Sequence, residues 1–317
     1  MIAAVLTKPQ FFEIQHITLP QIAVDEVKIR VQGCGVCNSS IPVWEGREWF
    51  QYPLDPGSPG HEGWGIVEQT GKEISRVKTG DHVAFLSYHA YAAVDKAKED
   101  SLVVLPPALH NKPFPGEPLG CAMNIFNRSD ISENDVVAIV GIGFLGALLC
   151  QLAKQRGAKV IAISRRGYSL GFAEKYGADE LVQLTSTWDV TNKVAEITGQ
   201  AFCTRVIEAT GKQEGIDLAT EIIGEAGKLI VAGYHQDGLR QVNMQKWNWK
   251  GIDVINAHER DASKYLSGMQ LAVEAVAAGK LDADLLYTHI LPLEDLSKGF
   301  EMTRNRPDGF MKALVQF

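Results

Sequence analysis

The sequence predicts an α/β protein of two domains, one built on a doubly wound parallel sheet and the other mainly β. Three observations carry this. A chain of 317 residues exceeds what one core comfortably organises, and 45% apolar residues are enough to fill two. Between about residues 124 and 257, buried-strand and helical patterns alternate, as a parallel sheet with crossover helices requires. Before about Pro107 the pattern is different, with short β-rich runs punctuated by Gly, Pro and Asp.

Taken in order, EVKIRVQ, GWGIVEQT and DHVAFLSY read as strands of the first module, where few helices are expected. VVAIVGIG then reads as a strand, FLGALLCQLAKQRG as a helix, AKVIAISR as a strand and GYSLGFAEKYGA as a helix. CTRVIEATG and KLIVAGY continue the sheet, with GIDLATEIIGEAG expected as the helix between them. An amphipathic helix follows at about Ala262–Ala278, and the final segment ends in a strand expected to pair back with the first module. The expected domains are therefore residues 1–122 with 258–317, and residues 123–257.

Net charge −7 offers no broad basic field, so nucleic acid is not an expected partner. Five scattered cysteines suit reduced thiols or metal ligands better than a disulfide framework, which points to the cytoplasm. The apolar run before Lys8 is too short for a signal peptide, and no segment approaches the roughly 18 apolar residues of a membrane span, so no membrane partner is expected.

The most informative motif is Gly141-x-Gly143-x-x-Gly146, set between a strand and a helix. The first glycine permits a tight turn, the second a close approach to pyrophosphate, and the third close packing of helix on strand. Phe144 and Leu145 open the helix whose N-terminus would face the anion. About twenty residues on, where an acid would receive the ribose hydroxyls of NAD, stand Ser164, Arg165 and Arg166. A hydroxyl and two guanidinium groups suit a 2′-phosphate, so NADP is expected in preference to NAD. Ala209, Thr210, Gly233 and Tyr234, at later strand ends, are expected to line the cofactor, with Tyr234 and His235 toward the nicotinamide.

GCGVCNSS and GSPGHEGWG supply Cys37, Ser39, His61 and Glu62 from Gly-rich loops. Thiol, imidazole and carboxylate are the donors of an open catalytic zinc site. Cys34, Cys150 and Cys203 read as packing thiols, and His82, His89, His235 and His258 as turn or surface histidines.

In their order, GVCNSS, GHEGWGIV, GDHV, EPLGC and GIGFLG resemble the zinc-dependent medium-chain alcohol dehydrogenases, over essentially the whole chain. The resemblance implies a GroES-like catalytic domain beside a Rossmann domain, with Cys37 and His61 as zinc ligands. Glu62 resembles the adjoining carboxylate that ligates or displaces water. Glu117, in Glu117-Pro118-Leu119, resembles the acid of the polyol and threonine dehydrogenase branch, so the third ligand stays open between Glu62 and Glu117. Cys121 is not expected to be a ligand. Ser39 resembles the hydroxyl that passes on the alcohol proton, while Pro42 stands where a relay histidine is usual. No cysteine-rich lobe follows GDHV, so one catalytic zinc and no structural zinc are expected.

The resemblance further implies a small-molecule alcohol or ketone substrate and a homodimer or homotetramer joined near KGIDVINA. A polyol, cyclitol or sugar-like substrate is expected from the branch. Asn38, Ser40, Glu45, Arg47 and His89 could serve it or form ordinary loop surface, and Trp44, Trp49 and Phe50 could wall a pocket or pack the loop. Two other readings are a zinc-free quinone or enoyl reductase and a non-catalytic NADP-binding sensor. Cys37, His61 and Glu62 argue against the former.

Overall fold

A computed structural model of the protein describes residues 1–18 and 21–317. The chain divides into two compact units, Met1–Gly120 with Asp261–Phe317, and Cys121–Arg260. Among the described residues no helix is long and apolar enough to cross a membrane.

The first unit begins with β1 (Ile2–Lys8), β2 (Phe11–His16) and β3 (Glu26–Gly35). A short helix α1 (Ile41–Glu45) precedes β4 (Gly63–Thr70), β5 (His82–Phe85), β6 (Val94–Lys98) and β7 (Leu102–Val104). Helix α2 (Gly116–Ser129) contains the boundary with the second unit. There β8 (Val136–Val140), α3 (Phe144–Gln155), β9 (Lys159–Ser164), α4 (Gly167–Lys175), β10 (Glu180–Gln183) and α5 (Thr187–Ile197) alternate. They continue as β11 (Cys203–Glu208), α6 (Gln213–Ile222), β12 (Ile223–Val231), α7 (Met244–Lys250) and β13 (Asp253–Asn256). The first unit resumes with α8 (Ala262–Ala277), β14 (His289–Pro292), α9 (Leu296–Asn305) and β15 (Ala313–Gln316).

The second unit is a parallel sheet in the order β10-β9-β8-β11-β12-β13. Val137 to Val140 of β8 are completely buried, as expected where helices cover both faces of a strand. Strand order runs outward in one direction from β8 and in the other from β11, so the crevice at their carboxyl ends is a topological switch point.

One expected helix is shorter than its sequence pattern implies. GIDLATEIIGEAG is helical only to Ile222, and β12 starts at Ile223. Two causes act there. The Lys250 ammonium donates to the carbonyls of Thr220 (3.0 Å) and Glu221 (2.9 Å), capping the helix end. Ala226, at φ 53, also breaks the right-handed run.

In the first unit β15 enters the sheet between β14 and β3, and β4 lies on the other side of β3. This three-strand neighbourhood positions the chemistry. Trp44 is core, 3% exposed and stacked on Phe300, while Trp49 is 65% exposed. Trp44 thus packs the core and does not wall a pocket, while His82, expected in a turn or at the surface, opens β5. His82 is half-buried with its ring 3.9 Å from that of His110.

Candidate active site

Cys37 follows the end of β3 by two residues, and His61 precedes β4 by two. Because β3 and β4 are antiparallel neighbours, pairing Cys34 with Gly63, their adjacent ends bring the two loops together. The Cys37 thiol, a His61 nitrogen and a Glu62 carboxylate oxygen lie within 4.8 Å of one another. Among the described residues this is the one such cluster of three or more donors.

The His61 ring is aimed by its backbone. Its Nδ1 lies 3.0 Å from the Pro59 carbonyl, which can only accept, so Nδ1 carries a proton and Nε2 is the nitrogen that faces the cluster. Burial opposes protonation of this imidazole, but the neighbouring Cys37 sulfur, followed by Glu117 and Glu62, pushes its pKa up to about 10. A pocket so negative attracts a cation, and a thiolate, a presented imidazole nitrogen and carboxylates are the donors that suit zinc. The residues present therefore fit that metal.

Glu62 is fully buried, and its charge is met by a residue that sequence reasoning missed. Lys312, just before β15, places its ammonium 2.7 Å from Oε1 and 2.6 Å from Oε2. The same ammonium donates to the Val36 carbonyl at 3.2 Å. Burial lowers the Lys312 pKa, but the charges of Glu62, Cys37 and Glu117 raise it above the ordinary lysine value. At Gly35 a Cβ would come 1.7 Å from Glu62 Oε2, so only glycine leaves room for this carboxylate. No sequence signal links Lys312 to Glu62, 250 positions apart.

Ser39 lies beside the donors, its hydroxyl 3.1 Å from Cys37 Sγ and 3.5 Å from His61 Nε2. Glu117 sits in the first turn of α2, and its charge reaches both His61 and Lys312. Tyr88, also missed, has its ring nearly parallel to that of His61, with centroids 6.2 Å apart, and is half-exposed. Its loop is stitched to the His61 loop by Ala90 N–H to Gly60 O (3.0 Å) and Tyr91 N–H to Gly57 O (3.1 Å). Of the polar loop residues, Ser40 is buried, and Glu45 pairs with Arg304 (2.8 Å) and more loosely with Arg47 (3.8 Å). Asn38 accepts from Arg306, and His89 is exposed beside Tyr88.

In the second unit Gly141 turns at φ 104, and a Cβ on Gly146 would strike the Gly141 carbonyl at 2.1 Å. At Gly143, the N-cap of α3, a Cβ would meet nothing within 4 Å, and no side chain caps this helix end. Phe144 and Leu145 open this helix, whose N-terminal turn is the kind of N–H-rich end that receives anions. Ser164 is buried at the end of β9 and accepts from the Arg166 amide (3.2 Å), shaping the turn that carries exposed Arg165 and half-buried Arg166.

Ala209 and Thr210 follow β11, and Gly233 and Tyr234 follow β12, at the same edge of the sheet. Between these turns lies Glu208, wholly buried and absent from the sequence-based candidates. It accepts from the backbone of Thr210 (2.7 Å) and Gly211 (3.0 Å). It also meets His235, which is not a surface histidine: its Nε2 is 2.9 Å from Glu208 and its side chain is 14% exposed. His258 is likewise part-buried, against the Gly233 carbonyl at 3.1 Å.

Comparison with known proteins agrees with this geometry. The alcohol dehydrogenase GroES-like domain family matches residues 23–114, and the zinc-binding dehydrogenase family matches residues 145–274. The chain is 25% identical to D-arabitol-phosphate dehydrogenase of Enterococcus avium, covering 90% of this chain and 88% of that one. It is 26% identical to L-threonine 3-dehydrogenase of Bacillus velezensis, covering 92% of each. In fold it is similar to galactitol-1-phosphate dehydrogenase from Escherichia coli, with TM-score 0.85 and 22% identity over 100% of both chains. Matches to both halves of the architecture, in order, identify the chain as an alcohol dehydrogenase-type oxidoreductase. It belongs to the zinc-dependent medium-chain dehydrogenase family and resembles its polyol dehydrogenases.

Proposed function

We propose that this protein is a zinc-dependent dehydrogenase of polyol-type secondary alcohols that uses NADP in preference to NAD. The observation that carries the reading is the convergence of Cys37, His61 and the buried Glu62 carboxylate, with His61 Nε2 turned toward them.

Cys37 and His61 would hold one zinc ion per chain. Glu117 is the better third ligand, because the Glu62 oxygens already face Lys312. Zinc bound there supplies Lewis acidity that eases loss of the alcohol proton. Lys312 pairs with both Glu62 oxygens beneath the pocket and offsets the accumulated negative charge. Ser39, within reach of Cys37 and His61, is placed to accept the proton of an alcohol. Pro42, buried in α1, cannot pass it on, so the onward route runs through water or a cofactor hydroxyl. Tyr88 walls the pocket beside His61 and offers a phenol to a neighbouring substrate hydroxyl.

The cofactor would lie along the carboxyl ends of the parallel sheet, its pyrophosphate at Gly143 and its 2′-phosphate at Ser164, Arg165 and Arg166. Tyr234 and the turns at Ala209–Thr210 and Gly233 would receive the other half. Two chains would join through β13, an edge strand with Val254 42% exposed.

The test is a panel of polyols, cyclitols and simple alcohols assayed with NADP and NAD, with and without chelator. Alcohol-dependent NADP reduction, lost on chelation and restored by zinc, is expected. Turnover that survives full metal removal would overturn the zinc reading, and a clear preference for NAD would overturn the cofactor assignment. Glu117→Gln should lower zinc content more than Glu62→Gln.

A further inference from the structure

The Glu208 cluster is not needed for the metal chemistry, yet it is densely built. Arg240 Nε lies 2.9 Å from His235 Nδ1. A guanidinium can only donate, so Nδ1 accepts, Nε2 carries the proton, and His235 donates to Glu208. The imidazole is thereby held between an acid and a cation, with neither nitrogen free for proton transfer.

The same network ties together two turns. Arg240 also donates to the Gly211 carbonyl (3.0 Å) and pairs with Asp237, while Asp237 pairs with Lys212 (2.6 Å). Lys212 and Arg240 hold the Asp237 carboxyl well below its ordinary range. Gln213 exchanges hydrogen bonds with the Gln241 backbone at 2.8 and 3.0 Å. The turns touch directly, since a Cβ on Gly233 would fall 2.2 Å from Gly211 N, and one on Gly211 would fall 2.7 Å from the Tyr234 carbonyl. A third turn joins them, because a Cβ on Gly141 would meet Thr210 Cγ2 at 2.7 Å.

The turns after β11 and β12 stand across the switch point from β8 and from β9, whose carboxyl end carries Ser164–Arg166. A dinucleotide with its adenosine half over β9 and its pyrophosphate at α3 extends its other half over β11 and β12. We propose that Glu208, His235 and Arg240 form a clamp that sets the turns receiving the nicotinamide half of the cofactor. The clamp positions and does not react, and the inference rests on the cofactor reading above. Its consequence is selective, because loosening it should weaken the whole dinucleotide while sparing ligands confined to the adenosine half.

The test is equilibrium binding of NADPH, or of NADH if that binds more tightly, beside adenosine 2′,5′-bisphosphate or ADP as the matching half-ligand. His235→Leu removes both hydrogen bonds, and should raise the dinucleotide Kd about tenfold or more while leaving the half-ligand within about twofold. His235→Gln, whose amide can donate to Glu208 and accept from Arg240, should stay within about threefold of wild type. Should His235→Leu not fold, Arg240→Met carries the same selectivity at about threefold. Equal weakening of both ligands, no weakening of either, or a Gln variant as poor as Leu would each overturn the clamp. Wild-type protein that binds the half-ligand but no dinucleotide would overturn the cofactor reading itself, and the clamp with it.

Discussion

Glu62 in the first unit and Glu208 in the second are both wholly shielded from solvent, but different groups hold them there. Glu62 faces a buried ammonium with both oxygens, whereas Glu208 accepts from backbone amides and the His235 imidazole. Beside Glu62 lies the Cys37 sulfur, and Glu117 acts on the same His61 and Lys312, so a fixed cation relieves repulsion before any metal is considered. Near Glu208 the need is geometric, and directional donors fix the path of two turns. The difference teaches that a buried acid can balance charge in one place and define shape in another.

Removing a donor from the charged region should have the largest effect. His61→Ala is expected to lower turnover at least a thousandfold, about 4 kcal/mol in barrier, and to take zinc content from about one per chain toward zero. Kinetics and metal analysis of the same preparation check this, and retention of both zinc and turnover would refute the role. Lys312→Met is next. It strands a buried carboxylate and should cost about 3 kcal/mol in urea unfolding, in metal-loaded and metal-free protein alike. Adding Glu62→Gln should recover at least part of that loss, whereas additivity of the two changes would mean that the pair is not coupled.

Glu208→Gln probes the hydrogen-bonded acid and should cost about 2 kcal/mol. Its new amide would face the His235 N–H, and the other imidazole tautomer would collide with Arg240. Unfolding curves indistinguishable from wild type would show that the site adapts freely.

Asp135 combines both modes and should give the smallest effect. Burial raises its pKa, but Thr204, Ser132 and Arg205 together lower it below the ordinary aspartate value. Its stabilisation is therefore present above the unfolded value of about 3.9 and is lost as pH falls through the lower folded value. Asp135→Asn should cost about 1 kcal/mol at neutral pH and flatten the acid limb of stability below about pH 4. An unchanged acid limb would remove Asp135 from that account.

Legibility in the sequence followed the reach of each interaction. Gly141, Gly143 and Gly146 announce themselves because the turn, the anion cradle and the helix packing all lie within six residues. Cys37 and His61 were readable as donors, although only the pairing of β3 with β4 makes them neighbours. Lys312 was invisible because its role exists only once β15 has joined β3. Tyr88 was read as the end of the strand DHVAFLSY, but β5 stops at Phe85, and backbone bonds to Gly57 and Gly60 set the loop that follows against His61. His235 was misread for the same reason, since Glu208 and Arg240 reach it from different turns. The helix around Ile222 was overextended because its end is set by Lys250, 27 residues downstream of Ile223.

The position of Lys312 also has a consequence for biosynthesis. The second unit is one continuous segment, complete once Arg260 is made, but Glu62 waits 250 residues for its countercharge. At about 5–20 residues per second, that interval is roughly 10–50 seconds. During it the nascent first unit carries its acidic donors without the ammonium that will neutralise them, so it should be the last part to become resistant to proteolysis.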